Sequence, residues 1–211
     1  TALAAGFAAA LVFACTAATF GPSDNVSPGR SSFQGTIARI DAATAKRMTG
    51  VSWRAGCPVP LRDLRLLTLS HWGFDGEVRK GRLIVHRDVA RDIVVAFRRL
   101  HAAHFRVRRM VPIDAYGASD FRSIEADNTS AFNCRYVEGT TRWSEHAYGR
   151  AIDLNPFENP WVDPRCTCWS PSGQYGLTRS GAGVITKGGP AWRAFSQSAL
   201  NWVSQSSTRQ R

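Results

Sequence analysis

His146 and Asp153 stand seven positions apart in the stretch WSEHAYGRAIDLNP, residues 143–156. An imidazole and a carboxylate are both zinc ligands, and a zinc held by such groups can activate a water molecule. On a straight strand an odd spacing puts two side chains on opposite faces. These two converge only if the backbone bends between them, and Gly149 lies in that interval, free to take the bend. Residues 150–155 then alternate as a strand, with Asp153 and Asn155 on one face. Taken alone, the pair reads first as a surface imidazole and a turn carboxylate.

The other candidates are fewer than the counts suggest. The remaining histidines are His71, His86, His101 and His104, of which the last two stand three apart on a helical stretch and read as helix-surface residues. Five cysteines is an odd number, so at least one lies outside any internal disulfide. Cys15 falls in an apolar leader. That leaves Cys57, Cys134, Cys166 and Cys168 as disulfide candidates. Cys166 and Cys168 are too close in sequence to bond without strain, so Cys57–Cys134, or one of these with Cys166 or Cys168, is expected. A Cys-x-Cys zinc site lacks a second close ligand pair.

Residues 1–23 carry no charge, and residues 2–14 have the length and composition of a signal-peptide apolar core. The box Val12-Phe13-Ala14-Cys15 is of the bacterial lipoprotein type and makes Cys15 a lipidation candidate. Cleavage near Ala17 or Ala18, or an uncleaved anchor, are the other two readings. All three export the remainder to the cell envelope, lipid-anchored or secreted, where disulfides are permitted. The net charge of +11 lies wholly beyond the leader and suits anionic surroundings such as wall polymers and lipid head groups. The arginines are dispersed and no recognition module is seen, so nucleic acid is excluded as a partner. The domain plan is therefore a leader or anchor over residues 1–20, a flexible tether over 21–35 and one domain over 36–211.

The elements that must position the pair follow from periodicity. Residues 37–48 predict a short helix, and residues 64–72 and 82–86 two strands of a hairpin. Residues 87–105 carry Val89, Ile93, Ala96, Phe97 and Leu100 at helical spacing. Residues 105–111, 131–137 and 150–155 read as short strands, and 192–203 as a helix. The fold class is α+β, with a small, mostly antiparallel sheet packed with helices.

Ser144-x-His146-x-x-Gly149-x-Ala151-x-Asp153 resembles the signature of the zinc D-alanyl-D-alanine carboxypeptidase and L-alanyl-D-glutamate endopeptidase family, the VanY-like peptidases of bacteria and phage endolysins. Five fixed positions span ten residues. Residues 127–135 (DNTSAFNCR) resemble the segment that precedes the signature in exported members, and the resemblance extends over about residues 60–200. It implies a D,D-peptidase or hedgehog-like fold and a Zn2+ cofactor held by His146 and Asp153. It implies a peptidoglycan stem peptide as substrate, with Arg135, or else Arg122, on its carboxylate and Ser144 beside the first ligand. Asn128, Ser130 and Asn133 are expected to order loops. The expected assembly is a monomer held at the membrane by a lipid or its N-terminal anchor.

The resemblance implies one more element, an acid-x-x-His that supplies the general base and the third ligand. No histidine follows His146, and the last acidic residue is Asp163. The expectation is a site left incomplete by truncation, with impaired hydrolysis and no identified base. The alternative is a non-catalytic wall-binding protein on the same fold. Replacement of the missing ligand by His71, His86, His101 or His104 is the third possibility.

Overall fold

The run LRLLTLSHW carries leucines on neighbouring positions because its strand is covered on both faces. In the computed structural model, which describes residues 32–160 and 180–196, this run is β2 (Leu64–Trp72). It is the centre of a three-stranded antiparallel sheet between β1 (Gly35–Arg39) and β3 (Val78–His86). Leu67 and Leu69, with Leu83 and Val85 of β3, face α2 (Ala90–Ala102). Leu64, Leu66 and Ile84 point the other way, onto Met48, Phe132 and Cys134. Alternation along the strand thus feeds two cores.

Helix α2 buries Ala90, Ile93, Val94, Ala96, Phe97, Leu100 and His101, the stripe expected of a one-sided helix, and leaves Arg91, Arg98 and Arg99 to solvent. The same stripe also packs on α4 (Pro190–Ser196), whose Phe195 meets Phe97 edge to face at 6.2 Å. The expected helix over 192–203 lies partly outside the described residues. His101 is buried against Phe33 and Trp72 and is not the helix-surface residue expected from spacing, whereas His104, just past the helix end, is exposed and stacks on Trp72.

The structure corrects several boundaries. The helix expected over 37–48 is split: Ile37 pairs with Leu67 in the sheet, and only α1 (Ala42–Met48) is helical. Asp41 decides the division, because its carboxylate accepts from the Thr44 N–H at 2.6 Å and caps the helix there. Residues 33–35, placed in the expected tether over 21–35, are part of the folded domain. Gln34 exchanges hydrogen bonds with Ser70, and Phe33 packs on the main core.

The strand expected over 105–111 shrinks to β4 (Arg109–Met110), which pairs in parallel with β5 (Asn128–Thr129), a strand that was not expected; those expected over 131–137 and 150–155 are reduced to single bridges at Tyr136–Trp143 and Ser130–Asp153. Polar side chains take the backbone groups that strand neighbours would otherwise take. Asn128 both accepts from the Val111 N–H and donates to its carbonyl, and the Asn155 N–H donates to Thr129 Oγ1. Among the described residues the architecture is α+β, with one small antiparallel sheet and helices packed on it. No helix among them is long and apolar enough to cross a membrane. Cys57 and Cys134 are joined by a disulfide, tying the loop after α1 to the segment beside the candidate site.

Candidate metal centre

Residues 130–135 form an extended ledge against the end of the sheet. The Phe132 N–H donates to the Ile84 carbonyl at 2.9 Å, and the Cys134 N–H to the Ser52 carbonyl at 3.0 Å. On the other side Ser130 and Asp153 exchange both backbone hydrogen bonds, at 3.1 and 2.9 Å. The Asn133 N–H donates to the His146 carbonyl at 3.1 Å. The ledge therefore holds both ends of the signature by main-chain contacts.

Between those ends the chain makes one 3-10 turn, Glu145–Tyr148. Ser144 caps it, its hydroxyl accepting from the His146 N–H at 3.3 Å. Gly149 ends it in the left-handed region, at φ 66°. A side chain there would meet the His86 nitrogen at 2.7 Å and the Val85 carbonyl carbon at 3.2 Å, both backbone atoms. The glycine supplies a reversal and a close approach together. Its carbonyl accepts from the His86 N–H, which fixes the turn to the end of β3.

The result is convergence. His146 Nε2 lies 3.4 Å from Asp153 Oδ2. His146 Nδ1 lies 2.6 Å from the Ala131 carbonyl, which accepts only and so sets the proton on Nδ1 when the ring is neutral. Nε2 then offers its lone pair toward the carboxylate. Burial pulls the His146 pKa down, but the Asp153 carboxylate, its hydrogen bond and the Ala131 carbonyl outweigh it and leave the imidazole above its ordinary value. Burial pushes Asp153 up, but His146 and then Arg135 outweigh it and hold the carboxyl below its ordinary value.

The donor set fits two positions of a zinc site. Two ligands about 2.0–2.2 Å from a tetrahedral zinc lie about 3.4 Å apart. A ligating imidazole also commonly gives its other N–H to a backbone carbonyl, the part Ala131 takes here. Among the described residues no group of three His, Cys, Asp or Glu comes together. His86 turns to Asp88, while His71 is buried with Nδ1 unpartnered and its pKa lowered by burial.

Arg135 is the guanidinium beside the pair. Its charge acts on both His146 and Asp153. It forms an ion pair with Asp120 at the start of α3 (Asp120–Glu125), and its Nη1 donates to the Tyr136 carbonyl at 3.2 Å. Arg122 lies exposed on α3 with its guanidinium toward Gly117. Asn128, Ser130 and Asn133 are buried and hydrogen-bonded within the protein. Asn155 does not share the face of Asp153: at φ 44° it turns inward and bonds the Arg106 and Gly183 carbonyls and the Arg108 N–H. Cys15, Cys166 and Cys168, and the leader over residues 1–20, lie outside the described residues.

Three groups that order this region carry no signal in the sequence pattern. The Ala131 carbonyl is a backbone atom. Asp120 lies 26 positions before His146, on another element. Glu158, buried five residues past Asp153, pairs with Arg108 at 3.2 Å, and Arg108 reaches Asp127 at 3.3 Å and covers the Phe74 ring.

No curated protein and no solved structure matches the chain. Residues 138–203, which contain the whole signature with both His146 and Asp153, match the model of a family described as D-alanyl-D-alanine carboxypeptidase.

Proposed function

We propose that the chain is a peptidase of the D-alanyl-D-alanine carboxypeptidase or L-alanyl-D-glutamate endopeptidase type, directed at peptidoglycan stem peptides and dependent on zinc. The observation that carries this reading is the 3.4 Å approach of His146 Nε2 to Asp153 Oδ2, with Nδ1 anchored on Ala131, inside the segment that matches the peptidase family. When bound, zinc supplies polarisation of the scissile carbonyl and a water of lowered pKa. His146 and Asp153 would hold it. Ser144 and Ala131 orient the imidazole. Arg135 offers a guanidinium for the substrate carboxylate, which it can grip through two parallel hydrogen bonds.

Catalytic zinc sites use three protein ligands, and the described residues bring two. The third ligand and the general base are unassigned among the described residues. The proposed fold is of the D,D-peptidase or hedgehog-like kind, and the proposed location is the cell envelope. A charge of +11, an apolar leader and a disulfide, which persists in oxidising compartments, support that location. The proposed anchor is a lipid on Cys15 or the leader itself, and the protein acts as a monomer.

Metal analysis and muropeptide digestion test the proposal. Purified protein should bind zinc with a stoichiometry near one, lose it in His146→Ala and Asp153→Ala, and release stem-peptide fragments. Absence of zinc together with absence of hydrolysis would refute it and leave a wall-binding role.

A further inference from the structure

The guanidinium of Arg135 is already occupied by a carboxylate from its own chain. Asp120 Oδ2 pairs with Nη2, while Asp120 Oδ1 accepts from Asn133 Nδ2 at 2.8 Å. The Asn133 side chain also donates to the Ala118 carbonyl, so the same amide fixes the entry into α3. Arg135 Nε points the same way as Nη2 in the guanidinium fork, yet it is buried and has no hydrogen-bond partner. A carboxylate gripping that edge with both oxygens would satisfy Nε and Nη2 together. Asp120 satisfies one of the two and spends its second oxygen on Asn133.

The side chains of Arg135 and Asp120 are 33% and 25% exposed, so an outside ligand can reach the pair, but Nε itself is covered and is reached only as Asp120 moves aside. Asn133 links it to the metal centre, because its N–H holds the His146 carbonyl. Arg135 itself accepts on its carbonyl from the Ser144 N–H at 3.1 Å, in the residue that caps the turn of His146. The pair is therefore built into the frame of the site.

We propose that Asp120 is a specificity-determining residue: it holds Arg135 through one oxygen in the free protein and yields it to a peptide whose own carboxylate can take Nε and Nη2 at once. A ligand with a neutral end cannot make that exchange. The guanidinium then stays neutralised by Asp120, and binding gains nothing from it. This rests on the role of Arg135 in the proposed function. The selectivity it adds is for peptides that present a free carboxylate at this position. No covalent step is involved: the hydrogen bond at Nη2 passes from Asp120 to the ligand carboxylate, and a second one forms at Nε, which has none in the free protein.

Calorimetric titration of the full chain with an acyl-D-alanyl-D-alanine peptide, as free acid and as C-terminal amide, tests the exchange. Asp120→Asn keeps the oxygen that Asn133 holds and removes the competing charge. It should tighten the free acid roughly tenfold, the factor that one charge-assisted hydrogen bond supplies, and leave the amide unchanged. Asp120→Ser should act in the same direction, and Arg135→Ala should abolish the preference for the acid. Equal or weaker binding of the acid by two folded Asp120 variants, with the wild type still binding it, would overturn the proposal and spare the proposed function. If no peptide binds, acetate is the probe. Tighter acetate binding by Asp120→Asn keeps the exchange and removes the peptide as its ligand, and unchanged acetate binding overturns both.

Discussion

Glu158→Gln isolates a buried acid that the metal centre does not use. Glu158 is 1% exposed, its Oε1 pairs with Arg108, and its Oε2 is buried with no hydrogen-bond partner. Asp127 shares the same arginine and accepts from the Phe157 N–H at 3.0 Å. Burial, and then the neighbouring Asp127, push the Glu158 carboxyl from 4.5 up to about 7, against the opposing pull of Arg108. The folded chain therefore keeps a proton there that the unfolded chain has lost. For an acid shifted upward, this group costs nothing below about pH 4.5. The cost grows as pH rises toward 7 and is complete above it. At about 1.4 kcal/mol per pH unit, the full cost is about 3 kcal/mol. Glutamine keeps the shape, presents its carbonyl to Arg108 and carries no charge. Urea unfolding at fixed ionic strength should find the variant within about 1 kcal/mol of wild type at pH 5 and more stable by up to about 3 kcal/mol at pH 8. A difference that stays flat with pH, or a variant that is less stable at pH 8, would show that Arg108 keeps Glu158 ionised and would refute the reasoning.

Two further perturbations probe the frame of the site. Reducing the Cys57–Cys134 disulfide, or replacing both cysteines by serine, opens a cross-link over a separation of 77 residues. The chain-entropy model assigns this a loss of about 4.5 kcal/mol, to be read as a lower urea midpoint with an altered slope. Gly149→Ala places a methyl against the backbone of β3 at a positive φ, and should cost about 2 kcal/mol or more. It should also weaken zinc binding, because the turn that aims His146 is displaced. An alanine variant with wild-type stability and zinc content would show that the turn does not depend on the glycine.

The strands of the hairpin and helix α2 were legible because their burial is periodic. Leu67 and Leu69 recur at two and Ile93, Phe97 and Leu100 at three to four, and those intervals are set by backbone geometry. The irregular half of the chain was not legible in this way. Residues 105–160 contain short apolar runs that resemble strands, but Asn128 and Asn155 satisfy the backbone with side-chain amides and leave only two-residue ladders. Asp41 split an expected helix by a single hydrogen bond, which periodicity does not report.

By itself the sequence determined which residue types were available: one His and one Asp around a glycine, a +11 charge, five cysteines, and no histidine after the signature. Tertiary structure decided what those residues face. Gly149 permits a bend, but β3 fixes its direction by holding the Gly149 carbonyl and excluding a side chain. The proton of His146 is set by a carbonyl fifteen residues away. Arg135 carries a fixed charge in any sequence, but only the packing of α3 beside residues 130–135 gives it Asp120 as a partner. Electrostatic and hydrogen-bonding energies depend on distance in space. Spacing along a chain sets such distances within one helix or strand, and not between elements joined by irregular segments.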